Sequence, residues 1–379
     1  MKILAATGSF KDVYTSIESC EMIKSILSDE HEVITAPLCD GGEYTYDVLK
    51  YYYGQQDGFK EIFVDNVINP CGKPITARYI AIGDEAYVIS SEVLHLGLQD
   101  DKYKNPLTLT EYGLGQLLRD AVDKGFKTIN LCLGGTSTVG YGIGTAQALG
   151  AEIVFRDGYE EKSSEIPIVP ADYLNIEKII WNNSDFKDIK LNVLNDGITK
   201  SNDLHTVNPL KIGKAFHDEK ETILKTLDEN AEHIYKLTGL GADDAYSGNG
   251  GAVYYAVENL FDAQYFRGAQ YFCNLFEIEN KIKEADIVIT GEGRYDNPHL
   301  KKLPITIAEL AKSLGKPVIF ACGSRDNSFP KADFIDTIVS CDDYYKTHDV
   351  RSQYDDEFSM YRELTPLILK EELRKVLND

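Results

Sequence analysis

The sequence is poor in cysteine, histidine and long apolar runs. Its 379 residues include 7 Cys and 7 His, and no pair of cysteines has CxxC or zinc-finger spacing. Cysteines such as Cys132 and Cys322 lie in short apolar runs, which is typical of free, buried thiols in a reducing compartment. No run approaches the ~18 apolar residues of a membrane span, and the N-terminus lacks the regions of a signal peptide. We therefore expect a cytoplasmic protein without a zinc site or a membrane partner.

Positive charge is also scarce. Lys and Arg number 39 against 61 Asp and Glu, so the net charge is −22. A chain this acidic repels nucleic acid unless it carries a local basic patch, and its basic runs, such as Lys301-Lys302, are too short for one. Nucleic acid is therefore not an expected partner. Small anionic ligands stay compatible with the sequence, because local glycine, lysine and arginine can outweigh distant charge.

Length and apolar periodicity predict an α/β protein. With 43% hydrophobic residues the chain is globular, and its length predicts two or three domains. Strands alternate with helices at both ends of the chain, which predicts a largely parallel, doubly wound sheet. The predicted strands there are 3–6, 32–36, 287–290 and 317–322, and the predicted helices are Ser16–Leu27, 305–314 and 358–377.

The middle of the chain has a different pattern. Two alternating segments flank the turn signal Ile82-Gly83-Asp84-Glu85, which predicts a hairpin, and residues 156–214 are polar and predicted to be loop-heavy. The remaining predictions here are hairpin strands at 74–82 and 87–91 and helices at 109–124 and 218–237. We therefore predict two α/β domains. The first is flavodoxin-like, doubly wound and discontinuous, formed by residues 1–68 and 284–379, and the second, 69–283, is inserted and carries the glycine-rich loops.

Two glycine-rich segments precede predicted helices. Residues 134–144 follow the apolar strand 129–133, and such a loop exposes backbone N–H groups that suit phosphate. The loop is neither a Walker motif nor a GxGxxG turn, so tight strand–helix packing stays an equal alternative. In the second segment, 247–251, Ser247 and Asn249 are equally compatible with helix capping. The candidate cofactor-binding residues are Gly134, Gly135, Thr136, Ser137, Thr138, Gly250 and Gly251.

Charged residues follow two of the predicted strands. Glu292, Arg294 and Asp296 come directly after residues 287–290, at the strand end where open α/β sheets bind ligands. The guanidinium of Arg294 suits a carboxylate or phosphate, and the carboxylates suit Mg²⁺ or water. A surface Arg–Glu salt bridge is the alternative. Asp40 and Glu43 likewise follow the strand 32–36, where a plain turn is the alternative.

In order, these segments resemble the type I glycerate kinase family of bacteria. The family's Asp-Ser-Phe-Lys-Gly loop is similar to Gly8-Ser9-Phe10-Lys11-Asp12, and its Asp-Gly-Gly-Glu-Gly-Thr motif to Asp40-Gly41-Gly42-Glu43-Tyr44-Thr45. Its glycine loop is similar to residues 134–142. The most specific match is Ile-Thr-Gly-Glu-Gly-Arg-x-Asp with residues 289–296, and Gly-Lys-x-Pro falls on Lys301-Lys302-Leu303-Pro304. The resemblance extends from residue 2 to about residue 324.

The resemblance implies ATP-dependent, Mg²⁺-assisted phosphorylation of a hydroxyl of D-glycerate or a related small hydroxy acid, in a cleft between two domains. Lysines would neutralise phosphate, Arg294 would hold the acceptor carboxylate, and glycine-rich backbone would cradle ATP. A homodimer is an open alternative. The implied residues are Lys11, Asp40, Arg294 and Lys302 for catalysis, Ser9, Glu292, Arg294 and Asp296 for substrate, and Asp40, Glu43 and Asp196 for metal.

The sequence departs from the family pattern at several polar positions. The acid of the first loop is Gly8, the Asn-Asp of the glycine loop is Val139-Gly140, and the Gln-Thr before Gly-Lys is lost around 298–299. A further family motif, Asp-Val-x-Asn-Pro-Leu, is barely visible near Asn195-Asp196-Gly197. One alternative is therefore a non-catalytic or altered-substrate ligand-binding paralogue. Another is a different transferase or nucleotide-binding partner protein, with Tyr51-Tyr52-Tyr53 as a subunit contact rather than a strand or core stretch.

Overall fold

A computed structural model describes residues 1–10, 13–98, 105–157, 159, 166–203, 220–297, 302–348 and 353–378. The chain divides into two compact units. Unit 1 comprises Met1–Asp40, Asp47–Tyr52 and Ala269–Asp379, and unit 2 comprises Gly41–Tyr46 and Tyr53–Gly268. Both units are α/β, which confirms the predicted fold class. The domain bounds predicted from the sequence stay a prediction.

The described strands range from 4 to 10 residues in length. In the described part of the chain they are β1 (Lys2–Ala5), β2 (Glu32–Thr35), β3 (Phe59–Ile68), β4 (Pro74–Ile82), β5 (Glu85–Ile89), β6 (Thr128–Leu133), β7 (Glu152–Phe155), β8 (Ile176–Ile180), β9 (Lys190–Asn195), β10 (Ala263–Arg267), β11 (Ile287–Tyr295), β12 (Val318–Arg325) and β13 (Thr337–Ser340).

The α-helices range from a single turn to a long C-terminal element. In the described residues they are α1 (Ser16–Leu27), α2 (Thr45–Tyr53), α3 (Ser91–Leu94), α4 (Tyr112–Asp123), α5 (Ile143–Ala148), α6 (Lys220–Thr238), α7 (Asn249–Ala252), α8 (Tyr254–Leu260), α9 (Gly268–Leu275), α10 (Ile278–Glu284), α11 (Leu303–Ser313), α12 (Cys341–Thr347) and α13 (Glu357–Asn378). Among these helices, none combines the length and the apolar character needed to cross a membrane.

Unit 1 contains a five-stranded sheet in the order β13-β12-β11-β1-β2. All its pairings are parallel. Counted by the strands of this unit alone, the order is 2-1-3-4-5, which is the flavodoxin-like order. The predicted first domain type is therefore confirmed. Helix α1 has the predicted bounds, because Thr15 and Glu18 form a capping box and its apolar residues, among them Ile23 and Leu27, are buried in the core of this unit.

Unit 2 contains a six-stranded sheet in the order β10-β9-β6-β5-β4-β3. Strands β4 and β5 form the antiparallel hairpin that the turn at Gly83 predicts. Strand β3 also pairs antiparallel with β4, whereas β5, β6, β9 and β10 pair in parallel. Strands β7 and β8 form a separate two-stranded sheet. The carboxyl ends of four parallel strands therefore meet at one edge of the larger sheet, where the glycine loop begins.

The structure adds strands to the polar stretch of unit 2 and places the three consecutive tyrosines on a helix. The stretch 156–214 was expected to be loop-heavy, but it contains β8 and the central strand β9. The asparagines of β9 make this strand look like a loop in the sequence. In the structure Asn192 Nδ2 donates to Asn130 Oδ1 on the neighbouring strand at 2.8 Å, while Asn192 Oδ1 is buried without a hydrogen-bond partner among the described residues. The tyrosines at 51–53 belong to α2 rather than to a strand, and Tyr52 stacks on Phe276 with ring centroids 4.1 Å apart.

Candidate functional site

The first candidate region lies where β1 and β11 run side by side in unit 1. The chain after β1 continues along β11: Gly8 N donates to Gly291 O at 2.9 Å, and Gly293 N donates to Ser9 O at 3.2 Å. In a sheet of order 2-1-3-4-5 the strand order reverses between these two strands, and the carboxyl ends there form the usual ligand crevice. Ser9 and Glu292 are therefore positioned at the switch point of the sheet.

Four charged side chains surround this point. Lys302 Nζ contacts Asp296 Oδ2 at 2.7 Å, and Lys302 directly precedes α11. The pKa of Glu292 is raised to about 7, chiefly by desolvation, with Lys302 lowering it and the negative charges of Asp296 and Asp40 raising it. The structure thus brings together Asp40, Glu292, Asp296 and Lys302. A carboxyl that titrates near neutrality is suited to accepting a proton from a hydroxyl.

Arg294 lies at the same strand end and contacts a different carboxylate. Its Nη2 is 3.1 Å from Asp326 Oδ2, and the Arg294 side chain is 63% exposed. Hydrogen bonds from Ser328, with a smaller contribution from Arg294, lower the pKa of Asp326. Arg294 therefore forms a surface salt bridge, but with Asp326 rather than with a glutamate, which is the pair that the sequence left open. An exposed pair of this kind contributes no more than about 1 kcal/mol, so the guanidinium can exchange Asp326 for a ligand carboxylate at small cost.

The second candidate region is the carboxyl edge of the parallel strands in unit 2. Ser90, directly after β5, accepts from Gly134 N at 3.2 Å and donates to Gly134 O at 3.0 Å. A Cβ placed on Gly134 would lie 2.3 Å from Asp196 Oδ2, and one on Gly135 would lie 2.6 Å from Glu43 Cγ. Two acidic side chains distant in sequence therefore lie against the start of the glycine loop.

The next residues of the loop are held by the protein itself. Thr136 and Ser137 are buried, Ser137 N donates to Leu94 O at 2.7 Å, and the Ser137 hydroxyl has no hydrogen-bond partner within the described residues. Thr138 Oγ1 donates to Glu111 Oε1 at 2.9 Å. Sequence reasoning missed Glu111, which is 1% exposed. The sequence feature that could have identified Glu111 is an acidic residue near the start of the predicted helix 109–124.

The second glycine segment contacts the first. Gly251 O accepts from Gly140 N at 3.2 Å and from Tyr141 N at 3.0 Å. Asn249 Nδ2 donates to Gly197 O at 2.6 Å, so its side chain joins this segment to the residues after Asp196. Gly250 and Gly251, predicted to bind cofactor, therefore lie beside the glycine loop, where Gly251 packs on its backbone.

Two of the predicted metal ligands lie in one place. Among the described residues, no group of three or more His, Cys, Asp and Glu side chains is arranged to hold a metal ion. Mg²⁺ does not need such a group, because it usually takes one or two carboxylates together with water and phosphate oxygens. Glu43, which also contacts His95 Nε2 at 3.2 Å, and Asp196 fit that requirement. Asp40 belongs to the charged cluster of unit 1, and Lys11 lies outside the described residues.

Comparison with known proteins identifies the family. The model of the glycerate kinase family matches residues 3–349. The chain belongs to the glycerate kinase family. It is 28% identical over 360 residues to a glycerate kinase of Bacillus subtilis (strain 168), covering 90% of each chain. It is 30% identical over 348 residues to a glycerate kinase of Bacillus cereus (strain ATCC 10987 / NRS 248), covering 86% of this chain and 85% of the relative.

A more distant relative and a solved structure are also similar to this chain. A glycerate 2-kinase of Escherichia coli (strain K12) is 26% identical over 342 residues, covering 86% of this chain and 85% of the relative. A crystal structure of a candidate glycerate kinase 2 from Salmonella typhimurium LT2 has a TM-score of 0.71 at 24% identity and covers 100% of this chain and 98% of its own. The latter match shows the fold.

The glycines that depart from the family pattern have close neighbours in this member of the glycerate kinase family. A Cβ on Gly8 would lie 3.3 Å from Pro304 Cγ, which is a tight but adjustable contact. A Cβ on Gly140 would lie 2.6 Å from Glu111 Cδ, which is too close for any side chain unless Glu111 moves. At position 140 the absence of a side chain is therefore a requirement of this structure.

Proposed function

We propose that this protein catalyses the ATP-dependent phosphorylation of a hydroxyl of D-glycerate or a closely related small hydroxy acid. The observation that carries the proposal is the cluster of Glu292, Asp296 and Lys302 at the switch point of unit 1, in a chain of the glycerate kinase family. Phosphoryl transfer needs an acceptor held in place, a group that takes its proton, and positive charge or N–H groups near the phosphates. The described residues offer each of these.

We assign acceptor binding to unit 1. Arg294 is exposed and its partner Asp326 is replaceable, so its planar guanidinium suits the acceptor carboxylate. Ser9, at the end of the neighbouring loop, lies beside Gly293 and offers a hydroxyl for the same ligand. Asp296 holds the Lys302 ammonium near Glu292, where its charge would stabilise the transferred phosphoryl group.

Glu292 is assigned as the proton acceptor. Its pKa near 7 leaves a substantial fraction ionised at neutral pH while keeping enough basicity to take a hydroxyl proton. In the step, the acceptor hydroxyl gives its proton to the Glu292 carboxylate as its oxygen bonds to the γ-phosphorus of ATP, and the bond from that phosphorus to the bridging oxygen of ADP breaks. The phosphorylated acid and ADP are the products.

We assign nucleotide and magnesium binding to unit 2. The start of the glycine loop, Gly134–Thr136, lies beside the carboxylates of Glu43 and Asp196. These two side chains would hold Mg²⁺, which when bound neutralises charge on the triphosphate. Lys11, outside the described residues, remains a proposed phosphate contact from the family resemblance.

The direct test is ADP formation by the purified protein in Mg-ATP with and without D-glycerate, with the phosphorylated product identified by mass spectrometry. We expect glycerate-dependent ADP and an equal amount of phosphoglycerate. Glu292→Gln should lose most of this activity, whereas the control Glu279→Gln, an exposed residue of α10 paired with Lys283 at 2.5 Å, should keep it. Binding of ATP without any glycerate-dependent ADP would contradict glycerate as the acceptor, and a screen of other hydroxy acids would then decide whether the protein is a kinase.

A further inference from the structure

A buried carboxylate lies directly behind the glycine loop of unit 2. Glu111, which precedes α4, is 1% exposed. Its Oε1 accepts from Thr138 Oγ1 at 2.9 Å and from Gly140 N at 3.1 Å, and its Oε2 accepts from Gly142 N at 2.8 Å. One side chain thus holds three successive parts of the loop, while its backbone carbonyl accepts from Thr145 Oγ1 at 3.1 Å.

These contacts explain how an acid is tolerated there. Removing a carboxylate from water is costly unless hydrogen bonds replace the lost hydration, and bonds from N–H and O–H groups to an ionised oxygen are among the stronger ones in proteins. Because Glu111 occupies the amides of Gly140 and Gly142, those two groups are not available to a phosphate. The amides of Gly134 and Ser137 are also occupied, by Ser90 Oγ and by Leu94 O. Ligand contacts from the backbone amides of this loop therefore fall on Gly135 and Thr136.

The same contacts restrict what residue 140 can be. A Cβ on Gly140 would lie 2.6 Å from Cδ, 2.7 Å from Oε2 and 3.0 Å from Oε1 of Glu111. An aspartate at 140 would also place a second carboxylate against the first. Side chains at positions 111 and 140 would therefore occupy the same volume, and a single acidic side chain fills it.

We infer that Glu111 is a positioning residue for the nucleotide loop and that residues 111 and 140 are a coupled pair in which one position carries the acid. The inference rests on the proposed function in one respect, the assignment of nucleotide to this loop. Its geometric part, the coupling of the two positions, is independent of that assignment.

The test is a double-mutant cycle of wild type, Gly140→Asp, Glu111→Ala and the double variant. We expect Gly140→Asp to lower the Tm and to weaken Mg-ATP binding at least tenfold. Adding Glu111→Ala to Gly140→Asp should recover at least tenfold in the Kd for Mg-ATP, although Glu111→Ala alone weakens binding. The KM for the acceptor should change less than twofold throughout, because the loop is assigned to the nucleotide.

Gly241→Asp supplies the matched control. A Cβ at Gly241 meets nothing within 4 Å, so its effect should be the same with and without Glu111→Ala. Additive Tm changes for Gly140→Asp and Glu111→Ala would overturn the coupled pair. Coupling in Tm with additive changes in the Kd for Mg-ATP would overturn the positioning role alone. If wild type binds Mg-ATP but forms no glycerate-dependent ADP, the proposed acceptor fails while this cycle still decides the inference.

Discussion

The two sheets present different kinds of residue at the edge where their parallel strands end. In unit 1 the edge presents charged side chains that remain partly open to solvent, with Arg294 63% and Lys302 41% exposed. In unit 2 the edge is a loop of glycine and hydroxyl residues, largely buried, which accepts a hydrogen bond from Ser90 and donates hydrogen bonds to the carboxylate of Glu111. Partly exposed side chains can exchange one partner for another at a small cost in free energy, whereas a packed backbone cannot. The comparison indicates that unit 1 adapts to its ligand and that unit 2 is formed beforehand.

The largest expected effect on the unit 1 side comes from Glu292. Glu292→Gln removes the proton acceptor while keeping the shape of the side chain, and we expect kcat to fall on the order of 10²–10³-fold with little change in either KM. Steady-state kinetics with separate titrations of ATP and glycerate measure this. A rise in the KM for glycerate at unchanged kcat would assign Glu292 to binding instead.

The same carboxyl makes a prediction about stability and pH. Its pKa in the folded protein is about 7 against a reference of 4.5, so between these values the folded state holds more protons than the unfolded state. The free energy of unfolding should therefore fall as pH rises from about 4.5 to about 7, by no more than about 3 kcal/mol from this group. Urea unfolding of wild type and Glu292→Gln at pH 5 and pH 7.5 isolates the contribution. An equal pH dependence in both proteins would contradict it.

Arg294 tests whether unit 1 recognises its ligand by side-chain charge. Arg294→Ala should raise the KM for glycerate by about 10- to 50-fold, the loss of a charged hydrogen bond, and Arg294→Lys should recover only part because it cannot form two parallel bonds. The control Asp326→Asn removes the existing partner of Arg294. Asp326→Asn should leave the KM for glycerate unchanged or slightly lower. A large increase in this KM would show that glycerate binding needs the Arg294–Asp326 pair.

The smallest of these effects is expected at the proposed magnesium site of unit 2. Asp196→Asn removes one negative ligand group, and we expect the Mg²⁺ concentration for half-maximal activity to rise about tenfold while the KM for glycerate stays constant. The measurement is a magnesium titration at fixed free ATP. Asn195→Asp would not serve as its control, because Asn195 donates to Phe266 O within the sheet. Asp243→Asn, an exposed acid of the same unit, should leave the titration unchanged.

Local sequence patterns predicted much of the secondary structure and fold, but few of the contacts between residues that are far apart in the sequence. Helix α1 carries its capping box and apolar face within twelve residues, so its bounds follow from the sequence. The parallel, doubly wound character of unit 1 follows from the alternation of strands and helices. Strand β9 was missed, because its polar residue Asn192 donates to a residue that lies 62 positions away along the chain. Glu111 was missed for the same reason, since its partners lie 27 to 31 residues further along the chain.

The assignment of one ligand to each edge can be tested in a single calorimetric experiment. Arg294→Ala and Gly135→Ala would each be titrated with D-glycerate and with Mg-ATP, because a Cβ at Gly135 would lie 2.6 Å from Glu43 Cγ while the backbone there has φ +64°. We predict that Arg294→Ala loses glycerate binding and keeps Mg-ATP binding, and that Gly135→Ala does the reverse. Loss of the same ligand by both variants would contradict the division of labour between the two edges.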